Sequence, residues 1–290
     1  MAKRHIGILH PGAMGASVAA AARANAATVV WTAEGRSTES AQRAMKAGVS
    51  DAGTLNELVQ QCDVILSVCP PHAAENVADA VAGIEFKGVY VDANAISPAR
   101  TRRIAETIEC AGAEFVDGGL VGPPAWKHGS TRLYLSGTQA GVVADCFAGS
   151  LLDSIVMDGP VGAASSLKMV YAAYTKGTTA LLSAILAVAD HEGVREVLEH
   201  EWSLSQPEIA GKVTTRVRSN TAKAWRFVGE MKEIVKTFTD AGLPGEFHTG
   251  AEAIYSRLAV FRDAPEPPAL DEVVVALRSK SIQGNGNDTF

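Results

Sequence analysis

The chain has little that would mark a metalloprotein, a secreted scaffold, a nucleic-acid binder or a membrane protein. Only four cysteines occur in 290 residues (Cys62, Cys69, Cys110 and Cys146), none in CxxC spacing. Reduced, packed thiols are expected rather than disulfides or a zinc site. The seven histidines form no HExxH or comparable pattern, so no metal is expected. The net charge is −6 with both signs mixed along the chain. No Lys/Arg stripe suits a phosphate backbone, and nucleic acid is not an expected partner. The start, Met1-Ala2-Lys3-Arg4-His5-Ile6, lacks the apolar core of a signal peptide. The longest apolar stretch, Ala163–Ala189, is interrupted by Lys168 and Lys176. Its charge-free part, Gly177–Ala189, falls short of the roughly 20 residues a bilayer needs. These absences point to a soluble cytoplasmic protein with no membrane partner.

What is present suits a full hydrophobic core, with 47% hydrophobic and 20% charged residues. The length fits one large domain or two ordinary ones. Up to Met157, short β-rich runs alternate with Ala-rich helical stretches, the βαβ pattern of a parallel sheet. Strands are predicted at His5–Leu9, Thr28–Trp31, Val64–Val68, Val89–Asp92, Glu114–Asp117, Arg132–Leu135 and Ser154–Met157. Helices are predicted between them at Ala13–Asn25, Ser37–Ala47, Leu55–Gln61, Ala73–Ala82 and Pro98–Ala111. After Gly159-Pro160 the pattern becomes wholly helical: one long helix from Gly162 to His191, then Glu208–Val228, Glu230–Ala241, Glu246–Phe261 and Leu270–Arg278. Ser279–Phe290 reads as a frayed polar tail. The expected architecture is α/β, a Rossmann-type doubly wound parallel sheet over residues 1–160, followed by an all-α domain over 161–290.

The first strand runs into His10-Pro11-Gly12-Ala13-Met14-Gly15 and a helix. The dinucleotide fingerprint places three glycines there, for a tight turn, for the pyrophosphate and for helix–strand contact. Gly12 and Gly15 fill the second and third places, but His10 takes the first. Because Pro11 biases His10 towards an extended backbone and away from positive φ, the turn should differ in detail from the three-glycine version. The second strand ends in Trp31-Thr32-Ala33-Glu34-Gly35-Arg36-Ser37. No acid directly follows it to hold a ribose diol, whereas Arg36 and Ser37 offer a guanidinium fork and a hydroxyl for a 2′-phosphate. NADP is therefore favoured over NAD, with Glu34 the residue that would overturn the preference. Ser37 equally suits the N-cap of the next helix.

Together these segments make the chain resemble the β-hydroxyacid dehydrogenase superfamily, which includes 6-phosphogluconate dehydrogenase and 3-hydroxyisobutyrate dehydrogenase. The resemblance covers nearly the whole chain. It rests on Gly12-Ala13-Met14-Gly15, Cys69-Pro70-Pro71, Val91-Asp92-Ala93-Asn94-Ala95-Ile96-Ser97-Pro98, Phe115–Pro124 and the lysine-bearing Gly162–Tyr171. Gly229–Ile234 and Gly242–His248 bring it closest to a branch described as 6-phosphogluconate dehydrogenase-like. It implies an NAD(P)-dependent oxidoreductase acting on a small molecule, with a 6-phosphogluconate dehydrogenase C-terminal-like helical domain. The active site would lie in the cleft between the domains, and a homodimer would form through the helical one. Cofactor contacts would come from Pro11, Gly12, Ala13, Met14, Gly15, Arg36, Ser37, Cys69, Pro70, Pro71 and Asn94.

The same resemblance makes Lys168 the general acid/base. It is one of two charges in Ala163–Ala189, so partial desolvation should lower its pKa towards working pH. Ser97 would hold a substrate carboxylate, although it also suits a helix N-cap with Pro98 at N1. Gly122, Tyr171, Tyr174, Glu230 and His248 complete the expected substrate contacts. Three departures stand out. Ala172 replaces the family's asparagine, leaving Tyr171 or Tyr174 to substitute for it. Val121-Gly122-Pro123 replaces Ser-Gly-Gly, and Pro123 has no N–H to offer a carboxylate. The family's second-domain lysine is missing near Gly229-Glu230. These departures keep an NADPH-dependent imine reductase as an alternative, although that group usually replaces the lysine. A non-catalytic NADP-binding sensor is a further one.

Overall fold

The strands of the N-terminal half carry apolar residues on both faces, because helices cover the sheet on both sides. The computed structural model describes residues 3–279; Met1, Ala2 and all but the first residue of the expected polar tail lie outside the described residues. The elements run β1 (His5–Leu9), α1 (Ala13–Ala22), β2 (Thr28–Trp31), α2 (Thr38–Ala47), β3 (Ser50–Asp51), α3 (Leu55–Gln61) and β4 (Val64–Ser67). They continue with α4 (Ala74–Ala82), β5 (Val89–Asp92), α5 (Pro98–Cys110), β6 (Glu114–Val121), β7 (Arg132–Ser136), α6 (Ala140–Asp145) and β8 (Asp153–Val156). Within β4, Val64 and Leu66 join one buried cluster and Ile65 the other, the period of two that a doubly covered strand requires. All four β4 residues are buried.

The eight strands form one sheet in the order β3-β2-β1-β4-β5-β6-β7-β8. The chain leaves β1 in one direction to β2 and β3, then returns to β4 on the other side. That reversal makes the switch point of a doubly wound sheet, and ligands bind such sheets at the strands' C-terminal ends there. The sheet is parallel-dominated, as expected, with β6 and β7 paired antiparallel. β6 is also twice its expected length. Gly118-Gly119 reads as a break in sequence, yet both residues stay in the strand, where the backbone alone leaves room for close neighbours. A Cβ on Gly119 would lie 2.6 Å from the Ala164 carbonyl oxygen.

Two compact units divide the chain. The first takes the residues up to Tyr171 with Lys236–Gly242, and the second takes Ala172–Val235 and the chain from Leu243. The long helix α7 (Ala163–His191) passes from one to the other. It is long and apolar enough to cross a membrane by composition, with a mean hydropathy of 1.2 in its most apolar window. Of that window, 56% is buried inside the protein, as in a core helix.

The second unit is helical, as expected, with different boundaries. It contains α8 (Arg195–Ser205), α9 (Pro207–Ala210), α10 (Val213–Asn220), α11 (Ala224–Asp240) up to Val235, α12 (Glu246–Leu258) and α13 (Leu270–Arg278). The helix expected over Glu208–Val228 is broken at Gly211-Lys212 and again by a 3-10 turn at Thr221–Lys223. Conversely, α11 runs unbroken through Gly229, where a break was expected. Burial of Ala224, Met231 and Ile234 along that helix outweighs the ~1 kcal/mol propensity penalty of one glycine.

Candidate functional site

The phosphate-binding turn forms with a histidine in left-handed geometry, which corrects the expectation drawn from Pro11. His10 has φ +66°, and its carbonyl accepts from Gly12 N–H at 2.8 Å. The conformation costs about 1–2 kcal/mol for a residue with a Cβ. The third glycine of the fingerprint is fixed by this turn, since a Cβ on Gly15 would sit 2.4 Å from the His10 carbonyl oxygen. Gly12 has open space on its Cβ side, and no side chain caps the start of α1. An unobstructed helix N-terminus with its amides outward fits the diphosphate of a dinucleotide. Pro11, Gly12, Ala13, Met14 and Gly15 all lie in this turn.

Beyond β2, Ser37 caps α2 by accepting from Ser40 N–H at 3.3 Å, so the N-cap reading is correct. Arg36 stays exposed, and its Nη1 donates to Nε2 of His10. Glu34 turns away, with its carboxylate accepting from Leu55 N–H at the start of α3 at 3.3 Å. The His10 pKa is lowered to about 4, first by burial and then by the Arg36 charge.

At the ends of β4 and β5, Asn94 is the hub of a buried network. Its side-chain oxygen accepts from Cys69 N–H at 2.6 Å, and its amide donates to Ser67 Oγ and Asp92 Oδ2 at 3.1 and 2.9 Å. Asn94 thus uses its side chain to tie together the segments that follow β4 and β5. Burial pushes the Asp92 carboxyl up to about 7 and the Cys69 thiol up to about 12, so this cysteine is no nucleophile at neutral pH. Pro70 is exposed and Pro71 opens a 3-10 turn. Of the cysteines, Cys62, Cys69 and Cys146 are packed thiols as expected, whereas Cys110 is exposed.

A second buried network holds the start of the helix that carries Lys168. Asp117, on β6, accepts from Gly162 N–H and Ser165 N–H at 2.9 and 3.0 Å, from Ser165 Oγ, and from Ser136 Oγ on β7 at 3.0 Å. A carboxylate at the first turn of α7 satisfies orphan amides and complements the helix dipole. Lys168 follows within α7, and its Nζ donates to the Leu120 carbonyl at 2.6 Å. No carboxylate pairs with it among the described residues, and burial lowers its pKa to about 8. This is the environment in which a lysine exchanges protons near neutral pH.

A cavity of about 110 Å³ is lined by Val121, Arg132, Tyr134, Leu167 and Tyr171, and Lys168 is not among its lining residues. Tyr171 and Tyr174 are both exposed, at 44% and 68%, so core packing does not account for them. Arg132 and Tyr134 are the wall residues that sequence reasoning missed. Their signal was only the alternation of Arg132, Tyr134 and Ser136 on one face of a strand.

Several expected substrate residues have structural surroundings. Ser97 is the N-cap residue of α5, with an extended backbone and Pro98 following it, as expected, although its hydroxyl makes no capping bond. Gly122 has φ +123°, and a Cβ there would lie 2.2 Å from the Ser130 carbonyl oxygen, so it serves the bend after β6. That bend is tied to α1 through Ala125 N–H donating to Ser17 Oγ at 2.9 Å. Within the helical unit, Glu230 pairs with Lys176, whose ammonium stands 4.7 Å over the Phe227 ring. His248 is buried, and its ring lies 3.3 Å from where a Cβ of Gly177 would stand.

Comparison with known proteins agrees with this geometry. Residues 5–146 match the NAD binding domain of 6-phosphogluconate dehydrogenase, and residues 189–258 match a domain of unknown function, DUF1932. An uncharacterized 28.5 kDa protein of Methanothermus fervidus is 31% identical over 209 residues, 70% of this chain and 78% of that one. Among solved structures, the conserved protein MTH1747, of unknown function and structurally similar to 3-hydroxyacid dehydrogenases, overlays with a TM-score of 0.67 at 28% identity. The overlay covers 89% of this chain and 97% of that one. The 3-hydroxyisobutyrate dehydrogenase of Mycobacterium tuberculosis shares the fold at 17% identity, with a TM-score of 0.68 over 96% of this chain and 100% of that one.

Proposed function

The chain belongs to the β-hydroxyacid dehydrogenase-like family of NAD(P)-dependent oxidoreductases, and from that premise we propose that it moves a hydride between NADP(H) and a small hydroxy or keto compound, with Lys168 as general acid/base. The observation that carries this reading is Lys168 itself. It is a lysine with a carbonyl partner, no carboxylate among the described residues, and a pKa brought down to about 8 by burial.

NADPH, when bound, supplies the hydride. Gly12 and the start of α1 would hold its diphosphate, and Arg36 with Ser37 its 2′-phosphate. In the reducing direction, the Lys168 ammonium donates a proton from Nζ to the substrate carbonyl oxygen. In the oxidising direction, the neutral amine accepts the hydroxyl proton. The Leu120 carbonyl orients Nζ in both cases. We assign residues 1–160 to cofactor binding and 161–290 to substrate and partner contacts. A cytoplasmic homodimer completes the proposal, with exposed Leu181 and Val188 of α7 as apolar surface for a second copy to cover; a stable monomer in gel filtration would count against it.

Replacing Lys168 with Met is expected to lower kcat by about 10²–10⁴-fold and leave the Kd for NADPH unchanged. Undiminished turnover would end the assignment. The Val121-Gly122-Pro123 departure favours imine reduction as a second reading, since Pro123 cannot donate to a carboxylate. Turnover of cyclic imines but not of keto acids by the unmodified protein would select it.

A further inference from the structure

We infer that His10 is a positioning residue for cofactor choice, holding the Arg36 guanidinium ready for the adenosine 2′-phosphate and thereby setting the preference for NADP over NAD. The inference rests on the NADP reading above and gives that reading a second residue. A glycine at position 10 would form the same turn without strain. The chain instead carries a histidine that bears two penalties: a left-handed backbone at φ +66°, and an Nδ1 buried without a hydrogen-bond partner. Such penalties persist where a contact compensates for them.

The contact that compensates is with Arg36, whose Nη1 donates to Nε2. An arginine has only donors, so Nε2 must be the accepting nitrogen and the ring must be neutral, with its proton on Nδ1. Burial and the Arg36 charge keep the ring in that form at neutral pH. Arg36 has no carboxylate partner among the described residues. Among the described residues, the imidazole is the side chain that holds the guanidinium at the end of its long stem. Ordering that stem before the cofactor arrives removes rotamer entropy that binding would otherwise have to overcome. NADH carries no 2′-phosphate and gains nothing from the ordering. The turn and the specificity fork are therefore one device, built from both sides of the β1–β2 pair.

The test uses His10→Gly and His10→Asn in the full chain, since both residues accept a left-handed backbone and neither reaches Arg36. Dissociation constants are measured for NADPH, NADH, 2′,5′-ADP and 5′-AMP, alongside Tm. The unmodified protein should bind NADPH and 2′,5′-ADP more tightly than their counterparts. Both variants should lose about tenfold of that preference, with NADH and 5′-AMP changed less than about twofold and Tm not lowered. In an Arg36→Ala background, His10→Gly should have no further effect on the ratio. Equal weakening of both cofactors, or an unchanged ratio, would overturn the inference and leave His10 a turn residue only. Failure of the NADP reading is seen separately, as no preference in the unmodified protein.

Discussion

Helix α7 carries two partly buried lysines with opposite surroundings. Lys176 faces the Glu230 carboxylate and the Phe227 ring, and its charge is compensated where it stands. Lys168 has a backbone carbonyl and no carboxylate among the described residues, so burial works against its charge and the pKa falls to about 8. A buried cation with a carboxylate is held ionised and serves structure. One with only a dipole sits near its titration point and is available for proton transfer. The carboxylate that does belong to the Lys168 region, Asp117, is spent on the start of the helix and on Ser136.

The sharpest way to break this contrast is Lys176→Met, which strands the Glu230 carboxylate. It should lower the unfolding free energy by about 3 kcal/mol in urea titration, and Lys176→Met/Glu230→Leu should recover most of that loss. An effect on turnover without one on stability would show that Lys176 is not the structural member of the pair. Asp117→Asn comes next. Its oxygen can keep the Gly162 and Ser165 N–H groups while its amide donates to the Ser165 hydroxyl, so what is lost is the negative charge at the start of α7, at a cost of about 1 kcal/mol. Lower kcat with an unchanged Kd for NADPH would show that Asp117 aims Lys168 without touching the cofactor. The third measure is the pH profile. Oxidation needs the neutral amine, so kcat should rise about tenfold per pH unit up to about 8 and then level. Reduction needs the ammonium and should fall above that pH. An oxidation rate flat from pH 6 to 9 would remove Lys168 from the proton path.

Much of the nucleotide half was legible because doubly covered strands read as apolar runs; β1, β2 and β5 fall on their expected residues. β3 escaped notice because Ser50-Asp51 is only two exposed polar residues. α8 escaped because none of its residues is buried, and a helix without a buried face has no apolar period to read. Lys168 was singled out through the family resemblance, and its place in an apolar stretch gave the physical reason to expect its burial. The Asp117 network was not legible, because it joins positions far apart in sequence that only the sheet brings together. His10 was misjudged since local preference argued against positive φ, while its tie to Arg36, a tertiary contact, won. Glu230 and His248 were recognisable as polar residues in a helical pattern, but nothing in sequence showed that their neighbours would be Lys176 and Gly177.

The Asp117 cluster also bears on the order in which the chain folds. Its donors come from β7 and from the start of α7, and its carboxylate from β6, so it closes only after the antiparallel β6–β7 pair exists. The first turn of α7, for all its apolar sequence, should therefore acquire slow amide exchange late, after the strands. Pulse-labelled exchange would see Ser165 protected after Leu133 and Leu135, and the lysine proposed to carry the chemistry would be among the last groups to find its place.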